Sequence, residues 1–144
     1  YNCKITCPID VVVSKNLEDM GINKDTKEID DNEMILDIGP KTIFSINKIV
    51  NDSNTVLWNG PAGYFENPNF QIGTKQILEI ISQKTKNDNI FSVAGGGETV
   101  AAIIKFNKLN SFTFVSTAGG AFLEYLEGKT LPGIKALHQN DQIK

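Results

Sequence analysis

Along the chain, short apolar runs that stop at glycine-rich turns alternate with stretches whose apolar residues recur at helical spacing. Thr55 to Trp58 (TVLW) stops at Asn59-Gly-Pro-Ala-Gly63, Ile90 to Ala94 (IFSVA) at Gly95-Gly-Gly97, and Phe112 to Val115 (FTFV) at Ser116-Thr-Ala-Gly-Gly120. Runs of this length and composition predict buried parallel strands. Ile43, Ile46, Ile49 and Val50 predict a helix over 41–50, and Ile72, Ile77, Leu78, Ile80 and Ile81 one over 70–84. Further helices are expected at Glu98–Phe106, at Ala121–Leu126 with Gly128 as its C-cap, and after Pro132. Upstream, Ile5 to Val13 is strand-like but carries Pro8, which suits a strand end or edge. Residues 14–33 are a polar surface excursion with a short strand near Thr26–Ile29, and Asp37-Ile-Gly-Pro40 is a turn. The tail from His138 to Lys144 is polar and is expected to fray and be flexible.

Strands alternating with helices give an α/β protein with a parallel sheet and helices on both faces, a Rossmann-like three-layer sandwich. Such sheets hold ligands beyond the carboxyl ends of their strands. The length of 144 residues fits one domain, and 40% hydrophobic with 22% charged residues is a globular composition. No apolar run approaches the roughly 18 residues that cross a bilayer. The net charge is −3 and all 14 basic residues are lysine. Without arginine the chain lacks the bidentate reader of guanine and phosphate, so neither nucleic acid nor membrane is an expected partner. Cys3 and Cys7 would lie about 13 Å apart in an extended strand, too far to bridge, and are expected to be buried free thiols of a reducing compartment. The first residues do not form a signal peptide, and the start at Tyr1, directly before a strand-like run, is expected of a piece of a longer polypeptide.

Glycine lets a ligand approach the backbone, and a helix start offers unpaired N–H groups and partial positive charge. Gly95-Gly-Gly-Glu-Thr99 and Thr117-Ala-Gly-Gly-Ala121 therefore have the make-up of phosphate sites. The competing reading is that the glycines only turn the chain. Two such loops on one sheet edge favour the first. Neither is a G-x-x-x-x-G-K-[ST] or a G-x-G-x-x-G motif. Glu98 either offers a carboxylate to Mg²⁺ or complements the helix dipole. Thr99 either donates to a phosphate or caps the turn. Glu66 either accepts from ribose hydroxyls or is plainly solvated. Asn59 is a turn residue or a polar ligand contact. Trp58 and Tyr64 are packing residues in preference to a stacking platform.

Six stretches together closely resemble the phosphoglycerate kinase family, in its order and approximate spacing over Lys4 to Leu137. They are Pro8–Val13, Leu36–Thr42, Val56–Glu66 (VLWNGPAGYFE), Gly95–Thr99, Ser116–Glu124 and Leu126–Gly133. The W-N-G-P-x-G-x-F-E block is the most specific of them. The resemblance implies a kinase of glycolysis and gluconeogenesis, transferring phosphoryl between 1,3-bisphosphoglycerate and Mg-ADP, or from Mg-ATP to 3-phosphoglycerate in reverse. It implies that residues 1–144 are the latter part of the C-terminal, nucleotide-binding domain. Glu66 would bind ribose, Asn59 and Pro61 would flank the nucleotide, and Leu36, with Ile35 beside it, would border the adenine. Gly96, Gly97 and Thr99 would face the phosphates, Glu98 the magnesium, and Gly119 and Gly120 would cradle the phosphoryl group in transfer.

The chain departs from the family pattern in three places. Glu98 stands where aspartate is usual, Ala118 where the first of three glycines is usual, and Tyr64 where a smaller apolar residue is usual. The family's N-terminal domain with its acid site, and the lysines that meet nucleotide phosphates, lie outside these residues. The 144 residues alone are accordingly expected to be inactive, and to self-associate through an unpaired sheet edge. The full enzyme is expected to be a cytoplasmic monomer. A different reading is a non-catalytic nucleotide- or phosphate-binding module, a truncated relic.

Overall fold

A computed structural model describes residues 3–88 and 90–140. The chain runs β1 (Asp10–Ser14), β2 (Ile22–Asp25), β3 (Met34–Ile38), α1 (Pro40–Asn51), β4 (Thr55–Asn59), α2 (Ile72–Asp88), β5 (Phe91–Gly95), α3 (Gly97–Lys105), β6 (Phe114–Val115), α4 (Gly120–Leu126) and α5 (Pro132–Asn140). Short 3₁₀ turns occupy Pro68–Phe70 and Leu109–Ser111.

The three strands that end in glycine form a parallel sheet in the order β4-β5-β6. Val56 pairs with Ser92, Trp58 with Ala94, and Ala94 with Val115. That register places Trp58, Ala94 and Val115 on one face, where they join Leu78 and Ile81 of α2 and Ala102 and Ile103 of α3 in the core. Trp58 also stacks on Phe112 at 6.0 Å between ring centroids. The opposite face carries exposed Leu57, Phe91 and Phe114. There α4 approaches through Phe122, whose ring lies where a side chain on Gly95 would be. The result is an incomplete α/β fold of the Rossmann-like kind. Gly128, at φ 82°, closes α4 as expected, with the N–H groups of Gly128 and Lys129 returning to the carbonyls of Tyr125 and Glu124. The helix α5 takes in His138 to Asn140, assigned above to a fraying tail, and 141–144 lie outside the described residues.

The sequence pattern does not announce the second sheet, which is antiparallel with the order β2-β1-β3. The short strand lies at Ile22–Asp25 instead of near Thr26–Ile29, and the segment read as a turn at Asp37 is the end of β3. Lys24 pins the outer strand by ion pairs to Asp30 and Glu33, each at 2.9 Å. Cys3 and Cys7 are free as expected, but exposed and not buried, because the segment before Pro8 makes no strand.

Two aspartates tie this small sheet to the helices. Helices α1 and α2 both need acceptors for their first N–H groups. Asp10 of β1, 0% exposed, accepts from the N–H groups of Lys41 (3.0 Å) and Thr42 (2.8 Å) and from the Thr42 hydroxyl (2.7 Å). Burial opposes ionisation of Asp10, yet these donors and Asn23 outweigh it and hold the carboxyl below the ordinary aspartate range. A depressed acid stabilises the fold above its unfolded pKa, and that contribution is lost as pH falls through the folded value. Asp10→Asn is therefore expected to lower the melting temperature at pH 7 and to lower it less below about pH 4. Thermal melts across pH check this, and a gap of constant size would overturn it.

Candidate active site

The carboxyl ends of the parallel strands meet at one edge. Asn59 pairs with Gly95, and the Ser116 N–H donates to the Ala94 carbonyl at 2.8 Å, so the three glycine-rich loops are neighbours. Gly60, Gly96 and Gly119 adopt positive φ of 99°, 91° and 58°, which the turns require and which other residues resist.

Beside this edge lies an open cavity of about 370 Å³. Ile35, Leu36 and Asp37 of β3 form one wall, and the stretch from Pro61 to Glu66 forms the other. Glu98, in the first turn of α3, completes the lining. Five residues singled out from sequence, Ile35, Leu36, Pro61, Glu66 and Glu98, thus meet in one place although they span 64 positions, from 35 to 98. A larger hollow of about 600 Å³, lined by residues of α2 and the segment before β6, contains none of them.

The remaining residues are placed around the cavity. Asn59 sits against Gly96, where an added Cβ would come within 2.5 Å of its Oδ1. Gly97, Gly119 and Gly120 face open space, with no atom within 4 Å of such a Cβ. No side chain caps the start of α3 or of α4. Gly119 and Gly120 lie after β6 and do not line the cavity. Of the two readings of Thr99, the structure displays contacts of the turn-holding kind. Its side chain is 0% exposed, and its hydroxyl accepts from the Gly60 N–H at 2.6 Å. It ties the loop after β4 to α3 and does not present its hydroxyl to the open edge.

Three residues that hold the cavity in shape were not evident from sequence. The Thr74 hydroxyl accepts from the N–H groups of Ala62 (3.1 Å) and Gly63 (3.2 Å). Lys105 donates to the carbonyls of Phe65 (2.6 Å) and Glu66 (3.2 Å), fixing the backbone that carries Glu66. Asp37 accepts from the N–H groups of Ile38 (2.8 Å) and Gly73 (2.7 Å). Burial pushes its carboxyl above the ordinary aspartate range, and the donors Gly73, Ile38 and Ile72 offset this only in part. The signals available, a Thr two past a helix start and an Asp two before Gly-Pro, are too common to single out.

Glycine-rich turns at the carboxyl edge of a parallel sheet, next to a cleft with an apolar side and three carboxylates, define an open α/β sheet protein, a class that holds ligands at that edge. Among known families, the sequence model of phosphoglycerate kinase matches residues 1–129, and the chain belongs to the phosphoglycerate kinase family. It is 46% identical over 145 residues to the phosphoglycerate kinase of Blochmanniella floridana, covering 99% of this chain and 35% of the relative. It is 44% identical over 142 residues to that of Orientia tsutsugamushi (strain Boryong), covering 96% and 35%. Among solved structures, that of phosphoglycerate kinase from Coxiella burnetii superposes with a TM-score of 0.85 at 40% identity, covering 94% of this chain and 34% of that one. The Pyrococcus horikoshii enzyme gives 0.76 at 31% identity, covering 91% and 32%. The chain therefore spans about a third of the length of the relatives it matches.

Proposed function

We propose that residues 1–144 are the latter part of a nucleotide-binding domain and supply part of a Mg-ADP/ATP site. The enzyme would be a cytoplasmic, monomeric kinase exchanging phosphoryl between 1,3-bisphosphoglycerate and ADP. Family membership supports the glycolytic kinase class. The observation that carries the site is the convergence of Ile35, Leu36, Pro61, Glu66 and Glu98 on one cavity. Ile35, Leu36 and Pro61 offer apolar surface to a base, and the Glu66 carboxylate accepts from ribose hydroxyls. The exposed sheet face of Leu57, Phe91 and Phe114 suits further chain packed on it.

Magnesium keeps most of its shell as water and phosphate oxygens and needs only one or two protein carboxylates. Glu98 fits that demand, an exposed carboxylate at the cavity. Bound with nucleotide, the cation would neutralise charge on the phosphates. Phosphoryl transfer depends mostly on positioning and charge stabilisation. Gly97, Gly119 and Gly120 leave open space at the helix starts, where an anion can approach the backbone.

The test uses a polypeptide of family length carrying these residues, such as a chimera with the Blochmanniella floridana relative. Fluorescence titration with a labelled ADP should give saturable Mg-dependent binding. Glu66→Gln should weaken it about tenfold, as expected for a hydrogen bond to a charged acceptor. Absence of binding, or an unchanged constant in the variant, would overturn the reading.

A further inference from the structure

We infer that Asp37 and Thr74 are positioning residues for the nucleotide cavity, holding its two walls at a fixed separation through the first turn of α2. The inference rests on the nucleotide reading of that cavity. The two walls meet directly where the Tyr64 N–H donates to the Leu36 carbonyl at 2.7 Å. The first turn of α2 adds further links. Asp37, 2% exposed, receives the Gly73 N–H on one carboxylate oxygen and its neighbour Ile38 on the other. The next residue, Thr74, is 0% exposed and receives Ala62 and Gly63. One helical turn thus grips β3 with Asp37 and the opposite wall with Thr74.

The fit is close. A Cβ on Gly63 would come within 2.3 Å of Asp37 Oδ1, and one on Gly73 within 2.1 Å. The carboxylate therefore touches both the helix start and the far wall. Asp10 provides an internal comparison. It caps α1 in the same manner, equally buried, but does not line the cavity. Mere helix capping predicts no nucleotide effect for either aspartate. Positioning predicts a nucleotide effect for Asp37 alone.

The test compares Asp37→Asn, Asp10→Asn, Thr74→Val and Thr74→Ser in the family-length polypeptide, by melting temperature and by steady-state kinetics with Mg-ATP and 3-phosphoglycerate. Asparagine keeps the shape but turns one acceptor into a donor facing an N–H. Small misplacements of binding groups cost large factors, so Asp37→Asn and Thr74→Val should raise the KM for Mg-ATP about tenfold. The KM for 3-phosphoglycerate and kcat at saturating Mg-ATP should stay within about twofold, and Thr74→Ser, which keeps the hydroxyl, should restore the parent value. Asp10→Asn should lower the melting temperature without moving the KM for Mg-ATP. If Asp37→Asn does not fold, the Thr74 pair decides by the same criteria. Equal nucleotide KM values in the parent, Asp37→Asn and Thr74→Val, or equal rises in Asp10→Asn and Asp37→Asn, would overturn the inference alone. A parent protein that does not take nucleotide at all would overturn the nucleotide reading and this inference with it.

Discussion

Glu98→Gln is expected to lower turnover of the family-length enzyme at least about tenfold, one decade per roughly 1.4 kcal/mol of transition-state stabilisation. Glu98 sits in the first turn of α3, exposed at the cavity, after three glycines. Its side chain makes no hydrogen bond or ion pair to any described residue, so the amide removes charge without breaking a structural contact. Were Glu98 only a partner of the helix dipole, the change would cost less than about 1 kcal/mol of stability and leave catalysis intact. A carboxylate that serves the cation predicts a different pair of results. Glu98→Gln should raise the Mg²⁺ concentration needed for half-maximal turnover, whereas Glu98→Asp, which restores the family's usual residue, should keep activity. Turnover measured against Mg²⁺ for the three proteins checks this, and an unchanged Mg²⁺ dependence in Glu98→Gln would sink the metal assignment.

Phe70→Ala is expected to be the most damaging single change to the fold, costing about 3–5 kcal/mol. Phe70 is 0% exposed and ends the 3₁₀ turn that leads into α2. Its ring fills the space beside Gly21, where an added Cβ would lie 2.9 Å away, so it packs the connection between β1 and β2 against the rest of the chain. The surroundings cannot easily collapse into the gap. Asn67 and Asn69 bind the carbonyls of Leu17, Glu18 and Asp19, which holds the two segments apart at the ring's width. At roughly 2–4 °C per kcal/mol for a chain of this size, the melting temperature should fall by about 6–20 °C. A calorimetric shift under about 3 °C would mean that the site repacks and that the ring is not the anchor described.

The legible part of the fold is the part built on local pattern. Three β-branched or aromatic runs, each closed by glycine, marked β4, β5 and β6 and the edge they share. The spacing of Ile43, Ile46 and Val50, and of Ile77, Leu78 and Ile81, marked helices that pack on one core. The antiparallel sheet was not legible for the opposite reason. Its outer strand, Ile22–Asp25, is exposed or half-buried on both faces and shows no alternation. Asp37-Ile-Gly-Pro40 has the composition of a turn, and only the start of α2, beginning 35 positions later, makes Asp37 a buried acceptor. The candidate site divides in the same way. Residues read through motif resemblance, such as Glu66 and Glu98, line the cavity. Thr74 and Lys105, which shape it through two hydrogen bonds each across 11 to 40 positions, leave no mark in a local window.

The two buried aspartates have a consequence for how this sequence can change. Side chains on Gly39 would collide with the Asp10 carboxylate, and side chains on Gly63 or Gly73 with that of Asp37. Each acid occupies the volume that its glycines give up. The glycines therefore cannot grow while the acids stay, and an acid cannot be shortened without leaving both a gap and helix N–H groups without an acceptor. An acceptable change at Gly39 or Gly73 therefore depends on what stands at its acid, whereas Gly63, which also faces the Phe70 carbonyl, stays closed whatever replaces Asp37.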